Sequence, residues 1–215
     1  MKHRELEEAK KRIDKINAFK KLKNDLKIEW TYEKFYSVIR THFFYKHGNF
    51  IFNDTNSFYI RAVCFFLASN SRFNSELNLD LSKGLFIVGT TGLGKTEIIK
   101  AVKDNPLNPI AIYSMIDITD FVKKEGEFNL KIGSRIICLD DLGTEQPTVK
   151  YYGTEISWFK DFIENYYLNE QTFNRLIITT NLTGEQIEER YGKRVRSRMR
   201  EMFNMIAIKG EDLRK

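Results

Sequence analysis

Cysteine and histidine are scarce in this chain, and the few present do not cluster. Cys64 and Cys138 stand far apart among apolar neighbours, and His3, His42 and His47 have no second ligand at zinc-like spacing. This excludes a disulfide framework and speaks against a Cys/His metal centre, so the two thiols read as buried side chains of a reducing compartment. No run approaches the ~20 apolar residues of a membrane span. The first residues are charged and lack the apolar core of a secretory signal, so the expected location is cytoplasmic, with no membrane partner. No internal repeat and no low-complexity linker is found.

What the chain does have is an ordinary globular balance. Its 215 residues are 42% hydrophobic and 30% charged, enough for one α/β domain with a real core and a modest extension. The net charge of +6 suits a polyanion partner, nucleotide or nucleic acid, and a solvated basic surface accounts for it equally well.

The expected boundary separates residues 1–50, a helical, basic and aromatic region, from residues 51–215, the main domain. Leu6, Ala9, Ile13, Ile16, Phe19 and Leu22 recur at helical spacing within 3–26. So polar a helix needs something outside itself to cover the stripe: this domain, a second copy, or a partner protein that it docks. Residues 28–46 predict a second helix whose rings, Trp30, Tyr32, Phe35, Tyr36, Phe43, Phe44 and Tyr45, are interleaved with Lys34, Arg40 and Lys46. Such rings can stack on single-stranded bases, although core packing is their commoner use. Residues 56–69 read as a largely buried helix, and the polar stretch 70–83 leads into the main domain.

From there strands and helices alternate. Strands are expected at 85–88, 110–113, 135–139, 175–180 and 205–208. Helices are expected at 95–103, 117–124 and 154–168, with two short ones within 183–201. Continuous apolar strands of this kind fit a parallel sheet flanked by helices.

Gly89, Thr90, Thr91, Gly92, Leu93, Gly94, Lys95 and Thr96 fit G-x-x-x-x-G-K-[ST] in full, between an expected strand and an expected helix. Glycines let the backbone curl so that successive N–H groups face a phosphate, and the helix turns its positive end to the same anion. Lys95 adds a full charge near the β- and γ-phosphates, and the Thr96 hydroxyl is suited to Mg²⁺. The chain is therefore expected to bind ATP with Mg²⁺ and to hydrolyse it. The apolar run 136–139 delivers Asp140 and Asp141 at a strand end, where ligands of open α/β sheets sit. Asp140 is expected to hold Mg²⁺ and Asp141 to orient or deprotonate the attacking water. Asn181, at the end of another apolar strand, is placed to hydrogen-bond the γ-phosphate or that water, and Asn is also an ordinary turn former. Lys193, Arg194, Arg196, Arg198 and Arg200 crowd one helix. They read as surface charge, as a nucleic-acid contact, or as the source of an arginine finger reaching a neighbouring subunit's ATP. Arg214 is a separate choice for a γ-phosphate sensor.

Together G-T-T-G-L-G-K-T, L-D-D-L-G-T-E, I-I-T-T-N-L-T and G-K-R-V-R-S-R-M-R resemble the helicase-loader branch of AAA+ ATPases, the DnaC/DnaI type, with the IstB transposition helper as a relative. The resemblance covers roughly residues 55–215. It implies a P-loop AAA+ fold with Asp140 and Asp141 as the Walker B pair, Asn181 as sensor 1, Arg198 as arginine finger and Arg214 as sensor 2. It also implies an ATP-dependent homo-oligomer acting in DNA replication, which delivers or remodels a replicative ring helicase on single-stranded DNA. An IstB-like helper would have a transposase as partner instead. The interval from Tyr113 to Arg135 is short for the additional helical insertion many members carry there. Asp141 stands where many AAA+ proteins have Glu. A small P-loop kinase with a basic lid, or an ATP-gated binding module that does not hydrolyse, are the readings from other classes.

Overall fold

The computed structural model describes residues 30–48, 54–130, 135–169 and 172–208. The amphipathic stretch 3–26 and Arg214 lie outside the described residues. Met1–Trp30 and Thr31–Lys215 cluster as two separate units, and the second contains all the elements below.

Helices α1 (Tyr32–His47), α2 (Asp54–Leu67) and the short α3 (Arg72–Ser75) precede β1 (Gly84–Gly89) and α4 (Lys95–Val102). Then follow β2 (Ile110–Ser114), α5 (Met115–Glu125), β3 (Ile136–Leu142), the pair β4 (Val149–Tyr151) and β5 (Thr154–Ile156), and α6 (Trp158–Asn169). The chain goes on through β6 (Leu176–Thr180), α7 (Gly184–Tyr191), α8 (Lys193–Met202) and β7 (Phe203–Ile208).

Five strands form one sheet in the order β2-β3-β6-β1-β7, every neighbouring pair parallel. Leu85, Ile87, Cys138, Leu139, Leu176, Ile177 and Ile178 are fully buried, as strands covered on both faces must be. Because all five strands run the same way, Gly89, Asp140 and Thr180 reach the same carboxyl edge. The order places β6 between β1 and β3, so the tips of these three strands are adjacent there.

α2 is buried almost all round: Tyr59, Ile60, Val63, Cys64, Phe65 and Leu67 are each at most 1% exposed. Each of the Ile, Val, Phe and Leu side chains among them contributes ~1.5–3 kcal/mol of hydrophobic stabilisation. The rings of α1 divide between two fates. Phe35 is buried, whereas Phe44 and Tyr45 are 60% and 84% exposed. No helix among the described residues is long and apolar enough to cross a membrane.

Three local expectations need correction. The helix expected over 154–168 begins only at Trp158, because Thr154–Ile156 pairs antiparallel with Val149–Tyr151. The turn of this hairpin, Tyr152-Gly153, has positive φ at both residues, 45° and 86°, as a two-residue turn of type I′ requires. Ile156 thus belongs to a strand and not to the inward face of a helix. The last strand starts two residues early, at Phe203, directly from the end of α8. α3 is a single turn inside the polar stretch. The Tyr113–Arg135 interval holds one helix, α5, among its described residues.

α1 is fastened to α4 through Glu97, which takes a hydrogen bond of 2.5 Å from Lys46 Nζ and lies 3.4 Å from His42 Nε2. Burial works to raise the Glu97 pKa, but the bonds from Lys46 and His42 and the charges of Lys46 and Lys100 outweigh it and hold the carboxyl below its ordinary value. A depressed folded pKa means stability that is present above the unfolded value of 4.5 and lost as pH falls through the folded one. Glu97→Gln should therefore lower the urea midpoint at neutral pH, and the gap to wild type should close below pH 4.5. A gap that stays constant with pH would exclude this linkage.

Candidate functional site

The turn between β1 and α4 owes its curl to glycine. Gly92 and Gly94 have φ of 87° and 76°, the left-handed region that side chains with a Cβ enter only at a cost. Gly94 is the N-cap of α4, so the first amides of this helix open toward the loop. The beginning of α4 is pinned from behind by Tyr59 of α2, whose buried hydroxyl donates to the Lys95 carbonyl at 2.8 Å.

Lys95 is only 5% exposed. Its ammonium donates to Gly89 O at 2.5 Å, to Thr90 O at 2.9 Å and to Asn181 Oδ1 at 2.6 Å. The Asn181 amide nitrogen also lies 3.3 Å from Thr91 Oγ1. The cation is thus held within the loop and bridged to the tip of β6 by one side chain.

Thr96, the second residue of α4, donates its hydroxyl to Asp140 Oδ1 at 2.8 Å. A hydroxyl and a carboxylate this close are two hard oxygen donors of the kind magnesium takes from protein while keeping several waters. The residues present fit that ion. Thr179 of β6, fully buried, donates to the same Asp140 oxygen at 2.7 Å and accepts from the Asp141 N–H at 2.9 Å. Asp141 is one of few non-glycine residues with positive φ, 57°. Behind the pair, Cys138 is buried; burial, and then the charges of Asp140 and Asp141, push its thiol pKa far up, so it stays a neutral packing group.

After β3 the chain turns around Glu145, whose side chain is 2% exposed. It accepts from the Gly143 N–H at 2.8 Å and from the Tyr191 hydroxyl, with Arg190 Nε at 3.9 Å. Arg190 also donates to the Glu145 carbonyl. Burial, and then the bond to Glu145, push the Tyr191 pKa up, which keeps the phenol a donor.

Of the residues expected from sequence, Gly89–Thr96, Asp140, Asp141 and Asn181 meet at one edge of the sheet. Arg198 does not join them. It is 7% exposed on α8, with Nη1 3.4 Å from Glu164 Oε2 of α6 and the guanidinium 5.0 Å from the centre of the Tyr167 ring. That ion pair lacks hydrogen-bond geometry at Nη1. Arg196 pairs with Glu188 at 2.5 Å, while Arg194 is 69% exposed. The arginine run is therefore split over several faces of α8, as helical spacing requires. Thr179 and Tyr59 were not expected in the site. The Thr-Thr pair before Asn181 was a visible signal for the first; nothing local marks the second, since Tyr59 and Lys95 meet only through folding.

No protein-family model matches the sequence, and no curated protein matches it. Among solved structures, the chain is similar to the crystal structure of the DnaC helicase loader, at 21% identity and a TM-score of 0.51, over 76% of this chain and 95% of that one. A weaker likeness is to the crystal structure of a DNA replication initiation factor, at 22% identity and a TM-score of 0.49 over 75% of this chain. The chain spans 48% of the length of that protein. The chain therefore shares its α/β fold, a parallel sheet flanked by helices, with the DnaC helicase loader.

Proposed function

We propose that this chain binds ATP with Mg²⁺ at Gly89–Thr96, hydrolyses it, and uses the cycle to deliver or remodel a replicative ring helicase on single-stranded DNA. The observation that carries the nucleotide part is the pair of hydrogen bonds, Lys95 to Asn181 and Thr96 to Asp140, that join the start of α4 to the tips of β6 and β3. The helicase part is supported by the likeness in fold to the DnaC helicase loader and by the motif resemblance.

In this reading the loop amides and the start of α4 bind the phosphates. Lys95 exchanges carbonyl oxygens for phosphate oxygens. Thr96 and Asp140 would hold Mg²⁺, which when bound neutralises charge on the phosphate oxygens. Asp141 orients the attacking water or takes its proton, and Asn181 fixes the γ-phosphate or that water. Arg198 acts in trans in an ATP-dependent oligomer, once it leaves Glu164 and Tyr167, and Arg214 senses the γ-phosphate.

Phosphate release measured over a range of protein concentrations, with and without single-stranded DNA, tests this. Turnover per subunit should rise with concentration and with DNA. Arg198→Ala should keep ATP binding and lose the concentration-dependent part. Equal turnover per subunit at all concentrations would reject the trans role. A phosphorylated small-molecule acceptor would reassign the chain to the kinases.

A further inference from the structure

We infer that Thr179 is a positioning residue of this site: its hydroxyl holds open a β-bulge that aims both carboxylates of β3. The inference rests on the ATPase reading above and extends it to a residue outside the expected set.

The register between β3 and β6 carries the argument. Leu139 stands opposite Ile178, but the next pairing is Leu142 with Thr180. Two residues of β3, Asp140 and Asp141, therefore face the single residue Thr179 of β6. That is a bulge, rare in parallel sheets and frequent where a strand must re-aim a side chain. In an unbroken strand, consecutive side chains point to opposite faces, so Asp140 and Asp141 could not both serve one edge site. The left-handed backbone at Asp141, φ 57°, breaks this alternation.

A bulged residue loses its place in the ladder of backbone hydrogen bonds, and an inserted N–H in this interior needs another acceptor. Thr179 Oγ1 supplies it at 2.9 Å. The same oxygen spends its proton on Asp140 Oδ1 at 2.7 Å, the atom that also receives the Thr96 hydroxyl at 2.8 Å. One buried hydroxyl thus holds the metal-side carboxylate by donating and the water-side residue by accepting. Only Ser or Thr combines both functions in so small a side chain. Valine matches the shape and has neither.

The test compares Thr179→Val with Thr179→Ser in the full chain, measuring ATP affinity, kcat and melting temperature. Misplacement of a catalytic group by about 1 Å costs roughly 100-fold in rate, so Thr179→Val should lose about 10- to 100-fold in kcat. Its ATP affinity should stay within about three-fold, because Lys95 and the loop are untouched. Thr179→Ser should recover kcat to within about three-fold of wild type. Where Thr179→Val does not fold, Thr179→Ala removes the hydroxyl without adding bulk and carries the same expectation. Wild-type turnover in folded Thr179→Val overturns the inference alone, as does a folded Thr179→Ser that fails as badly as valine. A wild-type chain that releases no phosphate overturns the ATPase reading and this inference with it.

Discussion

Lys95→Ala should abolish useful retention of ATP, weakening its affinity by roughly 100-fold or more. The size follows from the chemistry of the group removed. A buried ammonium forms charge-assisted hydrogen bonds, each contributing ~1.5–3 kcal/mol, and two of them lost to a phosphate already exceed the ~2.7 kcal/mol of a 100-fold change. Lys95 is well placed to offer them, being 5% exposed and held by Gly89 O, Thr90 O and Asn181 Oδ1 at the mouth of the loop. The fold should survive, because Tyr59 anchors α4 through the Lys95 backbone carbonyl, which alanine retains. Titration calorimetry with Mg-ATP, alongside a melting curve, makes the measurement. An affinity within about three-fold of wild type would remove the basis for assigning this loop to a triphosphate.

Glu145→Ala is expected to have the largest effect on stability. Its carboxylate is buried and satisfies the Gly143 N–H and the Tyr191 hydroxyl, with Arg190 beside it. Removing it strands two donors and part of a charge, a change that costs about 3–5 kcal/mol where the partners stay buried. In a chain of this size each kcal/mol moves Tm by about 2–4 °C, so a fall of about 10 °C is expected. Glu145→Gln keeps an acceptor for Tyr191 and should lose about half as much or less. Since Glu145 links the turn after β3 to the end of α7, the weakened variant should also position Asp141 less firmly and lose turnover below its melting range. A melting temperature within about 1 °C of wild type would show that this cluster is not stabilising.

Much of this site is legible from residue order, and the reason is locality. The backbone amides and two side chains that Gly89–Thr96 would offer a phosphate come from one turn, so eight consecutive residues suffice to announce it. The apolar runs before Gly89, Asp140 and Asn181 mark buried strands, and parallel strands bring their ends to one edge. The local misreadings have an equally physical cause. Residues 154–156 carry an apolar residue at helical spacing with Phe159 and Ile163, yet a two-residue turn lets them pair with 149–151 first. The rings of α1 look alike in sequence, but Phe35 is buried while Tyr45 lies in solvent, which depends on what α2 and α4 present to the helix.

The glycine loop, the strand ends and the alternation of strands with helices were thus open to inspection in the order of amino acids, because each rests on contacts between near neighbours in the chain. Packing alone could assign the roles of Thr179, Glu145, Tyr59 and Glu97. Their partners lie 38, 46, 36 and 51 residues away, and no periodicity connects such pairs before the chain folds. The bulge at Asp140-Asp141 is the clearest case: two residues opposite one exist only as a relation between strands, set when β6 enters between β1 and β3.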